Sequence, residues 1–101
     1  MSPRYILSID NGTQSVRALI FDLQGNLVDK AQVAIDTYQS PQPGWLENDP
    51  DAFWQSLSTA CQRLWATTQV PRESIAGVDI STKHATTIAL DRDGKPLRPA
   101  I

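Results

Sequence analysis

Asp10-Asn11-Gly12-Thr13-Gln14-Ser15-Val16-Arg17 is the stretch whose residue types and spacing could do chemistry. It joins two apolar runs, Tyr5-Ile6-Leu7-Ser8-Ile9 before it and Val16 to Leu23 after it. Asp10 stands at the carboxyl end of the first run, where open α/β sheets bind ligands. An acid there can hold a hydrated magnesium ion, a hard cation that prefers oxygen. Gly12 lets the backbone turn sharply and lets a phosphate come close. Thr13 and Ser15 place hydroxyls and amides near the same spot, with Gln14 between them. Arg17 can counter charge on a phosphoryl group. These residues read as a phosphate-and-metal turn built on a hairpin. It is not a Walker A loop, because Gly-x-x-x-x-Gly-Lys-Ser/Thr is absent. The tripeptide Asp10-Asn11-Gly12 by itself is also an ordinary hairpin turn, with the glycine at positive φ.

The elements that must position this turn follow from the apolar pattern. Tyr5–Ile9 is nearly continuous and reads as a strand buried on both faces. Val16 to Leu23 reads as a second strand, and Gln24-Gly25-Asn26 as a tight turn. Leu27 to Thr37 reads as a third strand. Its alternation puts Ala31, Val33 and Ile35 on one face and Lys30, Gln32 and Ala34 on the other, as in a strand near a sheet edge with one face wet. Turns this short predict an antiparallel meander. Asp49 is a candidate N-cap with Pro50 at the first helical position. Phe53, Leu57, Ala60, Cys61, Leu64 and Thr68 recur at helical spacing, with Trp54 and Trp65 widening the stripe. The helix is predicted from Pro50 to about Thr68, before Pro71. Ile75 to Ser81 reads as a fourth strand, parallel to the first by a crossover. Thr86 to Leu90 reads as a fifth, ended by an Asp93-Gly94 turn. The order β-β-β-α-β-β is an α/β mixed sheet with a helix against it.

Bulk properties limit the function classes. A chain of 101 residues is one small domain at most, with a modest core. A net charge of −2 with scattered basic residues gives no general affinity for nucleic acid or anionic membranes. No apolar run is long enough for a transmembrane helix, and Met1-Ser2-Pro3-Arg4 leads into too short a run for a secretory signal. Cys61 is the only cysteine, so no internal disulfide forms. Together these features point to a cytoplasmic protein.

The pattern Asp-x-Gly-Thr-x-Ser-x-Arg after a buried strand resembles the first phosphate-binding loop of the FGGY carbohydrate kinases. Pro43-Gly44-Trp45-Leu46-Glu47-Asn48-Asp49-Pro50, ahead of an aromatic-bearing helix, is similar to a Pro-Gly-Trp-x-Glu-x-Asp-Pro segment of that family. Ile75-Ala76-Gly77-Val78-Asp79-Ile80-Ser81, then Thr86 to Asp91 and Pro99-Ala100-Ile101, matches its next strands. The resemblance covers nearly the whole chain in order. It implies a ribonuclease-H-like mixed sheet of the actin-like ATPase superfamily. Residues 1–101 would form a partial N-terminal domain, with the rest of that domain and a C-terminal domain absent.

The resemblance also implies γ-phosphoryl transfer from ATP to a sugar or polyol hydroxyl, with Mg2+. By position, Asp10 would serve the metal; Gly12, Thr13, Gln14 and Ser15 would line the phosphate turn, and Arg17 would assist it. The catalytic base and the adenosine pocket would lie beyond Ile101, so this segment alone is expected to be inactive. In glycerol kinases an Arg-Glu pair after the fourth strand holds the polyol; in xylulose kinases a Met-His pair does similar work. Here Lys83-His84-Ala85 stands there, in either of two registers, and makes Lys83 and His84 candidate substrate contacts. Ala85 has no side chain to bind a hydroxyl, so this is not a plain glycerol kinase. A lone loop histidine is otherwise an ordinary solvated side chain. Trp54 and Trp65 read as core packing and Cys61 as an inert core thiol; Asp79 falls inside the fourth strand, where an ordinary strand position is favoured over a polar group near the cleft. A homodimer of the full-length protein is left open. The competing reading is a non-catalytic ATPase-like module that binds a phosphate or a protein partner. A third, an actin-like or chaperone-like ATPase, is disfavoured by the Pro-Gly-Trp-x-Glu segment.

Overall fold

A computed structural model describes residues 4–12, 14–35, 42–43, 49–82 and 88–99. The elements run β1 (Tyr5–Asn11), β2 (Ser15–Asp22), β3 (Leu27–Ala34), α1 (Pro50–Thr67), a single 3-10 turn at Arg72–Ser74, and β4 (Ile75–Ser81). The sheet order is β3-β2-β1-β4. β1 and β2 pair antiparallel, as do β2 and β3, while β4 pairs parallel to β1. The short connections force the antiparallel meander, and the crossover through α1 permits the parallel pairing.

Period-two alternation decides which face is buried. Leu7 and Ile9 of β1 and Val16, Ala18 and Ile20 of β2 point into the core with Phe53, Ala60 and Leu64 of α1. Full burial of a leucine such as Leu64 contributes roughly 1.5–3 kcal/mol. α1 lies over β2 and β3 rather than over β4. Val78 and Ile80 share its side of the sheet yet stay 62% and 55% exposed. Across the opposite face run Ile6, Ser8 and Asp10 of β1 and Arg17, Leu19 and Phe21 of β2, and no helix among the described residues covers them. One helix covering one face is what a single apolar stripe allows.

The helix starts as its sequence dictates. Asp49 is the N-cap, its Oδ1 accepting from the Asp51 N–H at 3.0 Å, and Pro50 follows. It ends one residue before the predicted boundary, where the Thr68 N–H donates to the Leu64 carbonyl at 2.8 Å. Trp65 packs against the core, with the Arg72 guanidinium 5.4 Å over its ring. Trp54 departs from the expected stripe and is 68% exposed. It follows Phe53 directly, so it lies about 100° further round the helix than the buried seam. Cys61 is half-buried against the core, and that burial pushes its thiol up from the ordinary 9.0.

Two further expectations are corrected. β3 stops at Ala34 rather than Thr37, because Ala34 already pairs with Ser15, the first residue of β2. Asp36 and Thr37 lie outside the described residues. Of the proposed fifth strand, Ile88 and Ala89 are not strand, and Leu90 forms a single antiparallel bridge with Pro96. The segment closes on its own continuation instead of joining the sheet. Asp91 Oδ1 accepts from the Asp93 and Lys95 N–H groups, each at 2.9 Å, and Gly94 sits at φ 81 in the left-handed region. The Asp93-Gly94 turn is therefore where the sequence put it. Thr86 and Thr87 lie outside the described residues.

The β2–β3 turn carries a similar acid clamp. Asp22 Oδ1 accepts from the N–H groups of Asn26 at 2.8 Å and Gln24 at 3.0 Å, and Oδ2 accepts from the Asn26 side chain at 3.0 Å. Led by the Asn26 N–H, these bonds favour the charged form and lower the carboxyl below 3.8. Since the folded value is the lower one, the clamp's support is present above 3.8 and is lost as pH falls through the folded value. We predict that a carboxyl-carbon NMR titration of Asp22 has its midpoint below 3.8, and that Asn26→Ala moves it upward. A midpoint at or above 3.8 would mean the clamp is not formed in solution. Among the described residues no helix is long and apolar enough to cross a membrane.

Candidate functional site

The face that α1 leaves open carries its polar groups at one end. Register places Gln32 of β3 opposite Arg17 of β2, Arg17 opposite Asp10 of β1, and Asp10 beside Ser81 of β4. This row crosses the carboxyl ends of the parallel strands β1 and β4, the end where open α/β sheets bind ligands. One step down the same face, Asp79 stands beside Ser8, exposed.

The turn from β1 to β2 is tight. The Gly12 N–H donates to the Ser15 carbonyl at 3.0 Å. A Cβ at residue 12 would lie 3.2 Å from that carbonyl, so the close approach is what requires glycine. Gly12 does not have the positive φ of an ordinary Asp-Asn-Gly turn; among the described glycines Gly25 and Gly94 do. β3 braces the turn twice. The Ile35 N–H donates to the Gln14 carbonyl at 2.7 Å, and Gln32 Nε2 donates to Ser15 Oγ at 3.1 Å.

Arg17 forms an ion pair with Asp10, Nη2 to Oδ2. The sequence reading gave these residues separate roles, and their direct opposition in register explains the pairing. The two side chains are 48% and 32% exposed, so the pair is worth at most about 1 kcal/mol. That is small enough for the guanidinium to turn to a bound phosphoryl group.

Asn11 Oδ1 is buried and has no hydrogen-bond partner among the described residues. A buried acceptor without a donor is uncommon and costly. Asn11 lies two residues beyond Ile9 and opposite Val16, on the α1 side of β1, so it belongs to the face away from Asp10. Among the described residues no cluster of three or more His, Cys, Asp or Glu side chains could cage a metal. A magnesium ion that keeps its waters and takes one carboxylate needs no such cage. Asp10, its side chain 32% exposed at the open face, therefore fits a hydrated Mg2+.

The structure thus brings Asp10, Gly12, Gln14, Ser15 and Arg17 onto one turn and its flanking strands. Thr13, Lys83 and His84 lie outside the described residues; β4 ends at Ser81, beside Asp10. Sequence reasoning missed Gln32 as part of the site. Part of the signal was present, since alternation put Gln32 on the wet face; its place opposite Arg17 also needs the register shift between Ile20 and Phe21, without which counting from the Gly25 turn sets Ala31 there.

Residues 5–101 match the N-terminal domain of the FGGY family of carbohydrate kinases. A glycerol kinase of Thermococcus gammatolerans is 39% identical over 98 residues, 97% of this chain and 20% of that protein. The structure superposes on a xyloylose kinase from Brucella ovis with a TM-score of 0.91 at 33% identity, covering 97% of this chain and 20% of that one. It also superposes on Plasmodium falciparum glycerol kinase with ADP, with a TM-score of 0.78 at 28% identity, covering 98% and 20%. The chain thus spans about 20% of the length of the relatives it matches. Over that length both the sequence and the mixed sheet agree, and the chain belongs to the FGGY family of carbohydrate kinases.

Proposed function

We propose that this chain is the N-terminal segment of an ATP-dependent kinase that phosphorylates a hydroxyl of a sugar or polyol. The observation that carries the reading is the gathering of Asp10, Gly12, Ser15 and Arg17 at the carboxyl end of β1. The names of the relatives support the substrate class, and the ADP complex of the Plasmodium enzyme supports the nucleotide. In the reaction the bond from the γ-phosphorus to its bridging oxygen breaks. A bond to the substrate oxygen forms, ADP leaves, and the hydroxyl proton passes to a base. That base is proposed to lie beyond residue 101.

Such transfer depends on positioning and on stabilising charge. The Gly12 turn admits a phosphate against the backbone, and the Ser15 hydroxyl donates to it. Arg17 balances the charge of the phosphoryl group. Asp10 would hold a hydrated Mg2+, which when bound would neutralise phosphate charge. Sugar-dependent ATP consumption by the full-length protein tests this reading.

The substrate side is proposed for Lys83 and His84, which follow β4. The Lys83-His84-Ala85 stretch differs from both the glycerol kinase and the xylulose kinase pairs, so the sugar is read by a different set of groups. In the full-length protein, His84→Ala is predicted to raise the KM for the sugar about 10-fold or more and to leave the KM for ATP nearly unchanged. The reason is that a substrate hydroxyl, taken out of water on binding, loses its hydrogen-bond partner. Equal effects on both constants, or none, would return His84 to an ordinary solvated loop histidine.

A further inference from the structure

Gln32 has no role in the phosphate turn by sequence pattern, yet its side chain is fixed on it. Its Nε2 donates to Ser15 Oγ at 3.1 Å. Gln32 is exposed and lies in the polar row with Arg17 and Asp10. A serine hydroxyl has one proton and two lone pairs. With one lone pair occupied by the amide N–H, the hydroxyl proton is not drawn toward Gln32 and is left for an acceptor on the open side of the turn. The β3 backbone holds the same turn through Ile35 and Gln14, so the brace does not depend on Gln32 for its fold.

We infer that Gln32 is a positioning residue that sets Ser15 as a hydrogen-bond donor to the transferring phosphoryl group. This rests on the kinase reading and adds to it the direction of one hydrogen bond. An amide donor at residue 32 orients the hydroxyl correctly. A carboxylate there would accept the hydroxyl proton, turn it away from phosphate and add a like charge.

The test uses the full-length kinase and four variants: Gln32→Ala, Gln32→Glu, Ser15→Ala and the double variant Gln32→Ala with Ser15→Ala. Gln32→Ala is expected to lower kcat roughly 5- to 10-fold, the worth of one neutral hydrogen bond, with the KM for the sugar unchanged. Gln32→Glu is expected to lose more, and to regain activity relative to the parent as pH falls and the new carboxyl protonates into a donor. In the Ser15→Ala background, Gln32→Ala is expected to have no further effect. A purely structural role would give neither the acid recovery nor the dependence on Ser15.

Wild-type kcat in Gln32→Ala, or an equal loss with and without Ser15, would overturn the inference, as would Gln32→Glu matching Gln32→Ala at every pH. Asp10→Asn run in parallel separates the two levels. If Asp10→Asn abolishes turnover while the Gln32 variants behave like the parent, only the role of Gln32 fails. If Asp10→Asn is active, the phosphate turn itself fails.

Discussion

Asp10→Asn is expected to lower the turnover of the full-length kinase by about a hundred- to a thousand-fold, with little loss of folding stability. Asp10 ends β1 at the open face of the sheet, opposite Arg17 and beside Ser81. Asparagine keeps the size and can still pack there. It cannot hold a hydrated cation as a carboxylate does, and it no longer pairs with Arg17. The stability change is small because the Asp10–Arg17 pair is partly exposed and worth at most about 1 kcal/mol. The loss in rate is large because a pre-organised contact to transition-state charge is typically worth two to three orders of magnitude. The measurement is kcat at saturating ATP and sugar, with the thermal midpoint as the folding control. Near-normal kcat in a folded variant would remove Asp10 from the site.

The 101-residue chain by itself is expected to show no sugar-dependent ATP consumption. The transfer needs a nucleotide on one side of a cleft, a hydroxyl on the other and a base to take its proton. The described residues supply one turn at one end of one sheet. The chain spans about 20% of the relatives it matches. The open face around Asp10 has no second wall among the described residues to exclude water. Apolar groups also stay uncovered, among them Val78 and Ile80 of β4, on the α1 side of the sheet but beyond its reach. We therefore expect the isolated chain to run larger than a compact monomer in sizing, or to bind a hydrophobic dye. A monodisperse, active monomer would contradict both expectations.

Much of this was legible in the sequence because the governing signals are local. The Asp49-Pro50 start, the helical stripe and the Gly25 turn each depend on a few neighbouring residues, and the structure keeps them. β4 occupies the predicted Ile75–Ser81 because an apolar run follows directly on the turn at Arg72–Ser74. What escaped depends on register between strands. The Asp10–Arg17 pair and the Gln32–Ser15 bond join residues 7 and 17 positions apart. Their meeting follows only once both hairpins are aligned. Trp54 reads as core because a stripe can be widened on paper, whereas the face packed on the core runs through Phe53, Leu57, Ala60, Leu64 and Trp65 and leaves Trp54 outside. Gly12 is tied to its place by the Ser15 carbonyl, a contact across the turn that neither a positive φ nor a phosphate predicts. The segment after Ile88 pairs across its own Asp91 turn, which alternation alone does not distinguish from a strand of the main sheet.

The most direct test of the proposed activity is ATP consumption by the full-length protein across a panel of pentuloses, hexuloses, polyols and glycerol. We predict that at least one of these stimulates ATP consumption well above the sugar-free rate, with the sugar phosphate formed in equal amount to ADP. ATP turnover that is the same with every compound and with none would contradict a carbohydrate kinase and favour a phosphate-binding module without sugar chemistry.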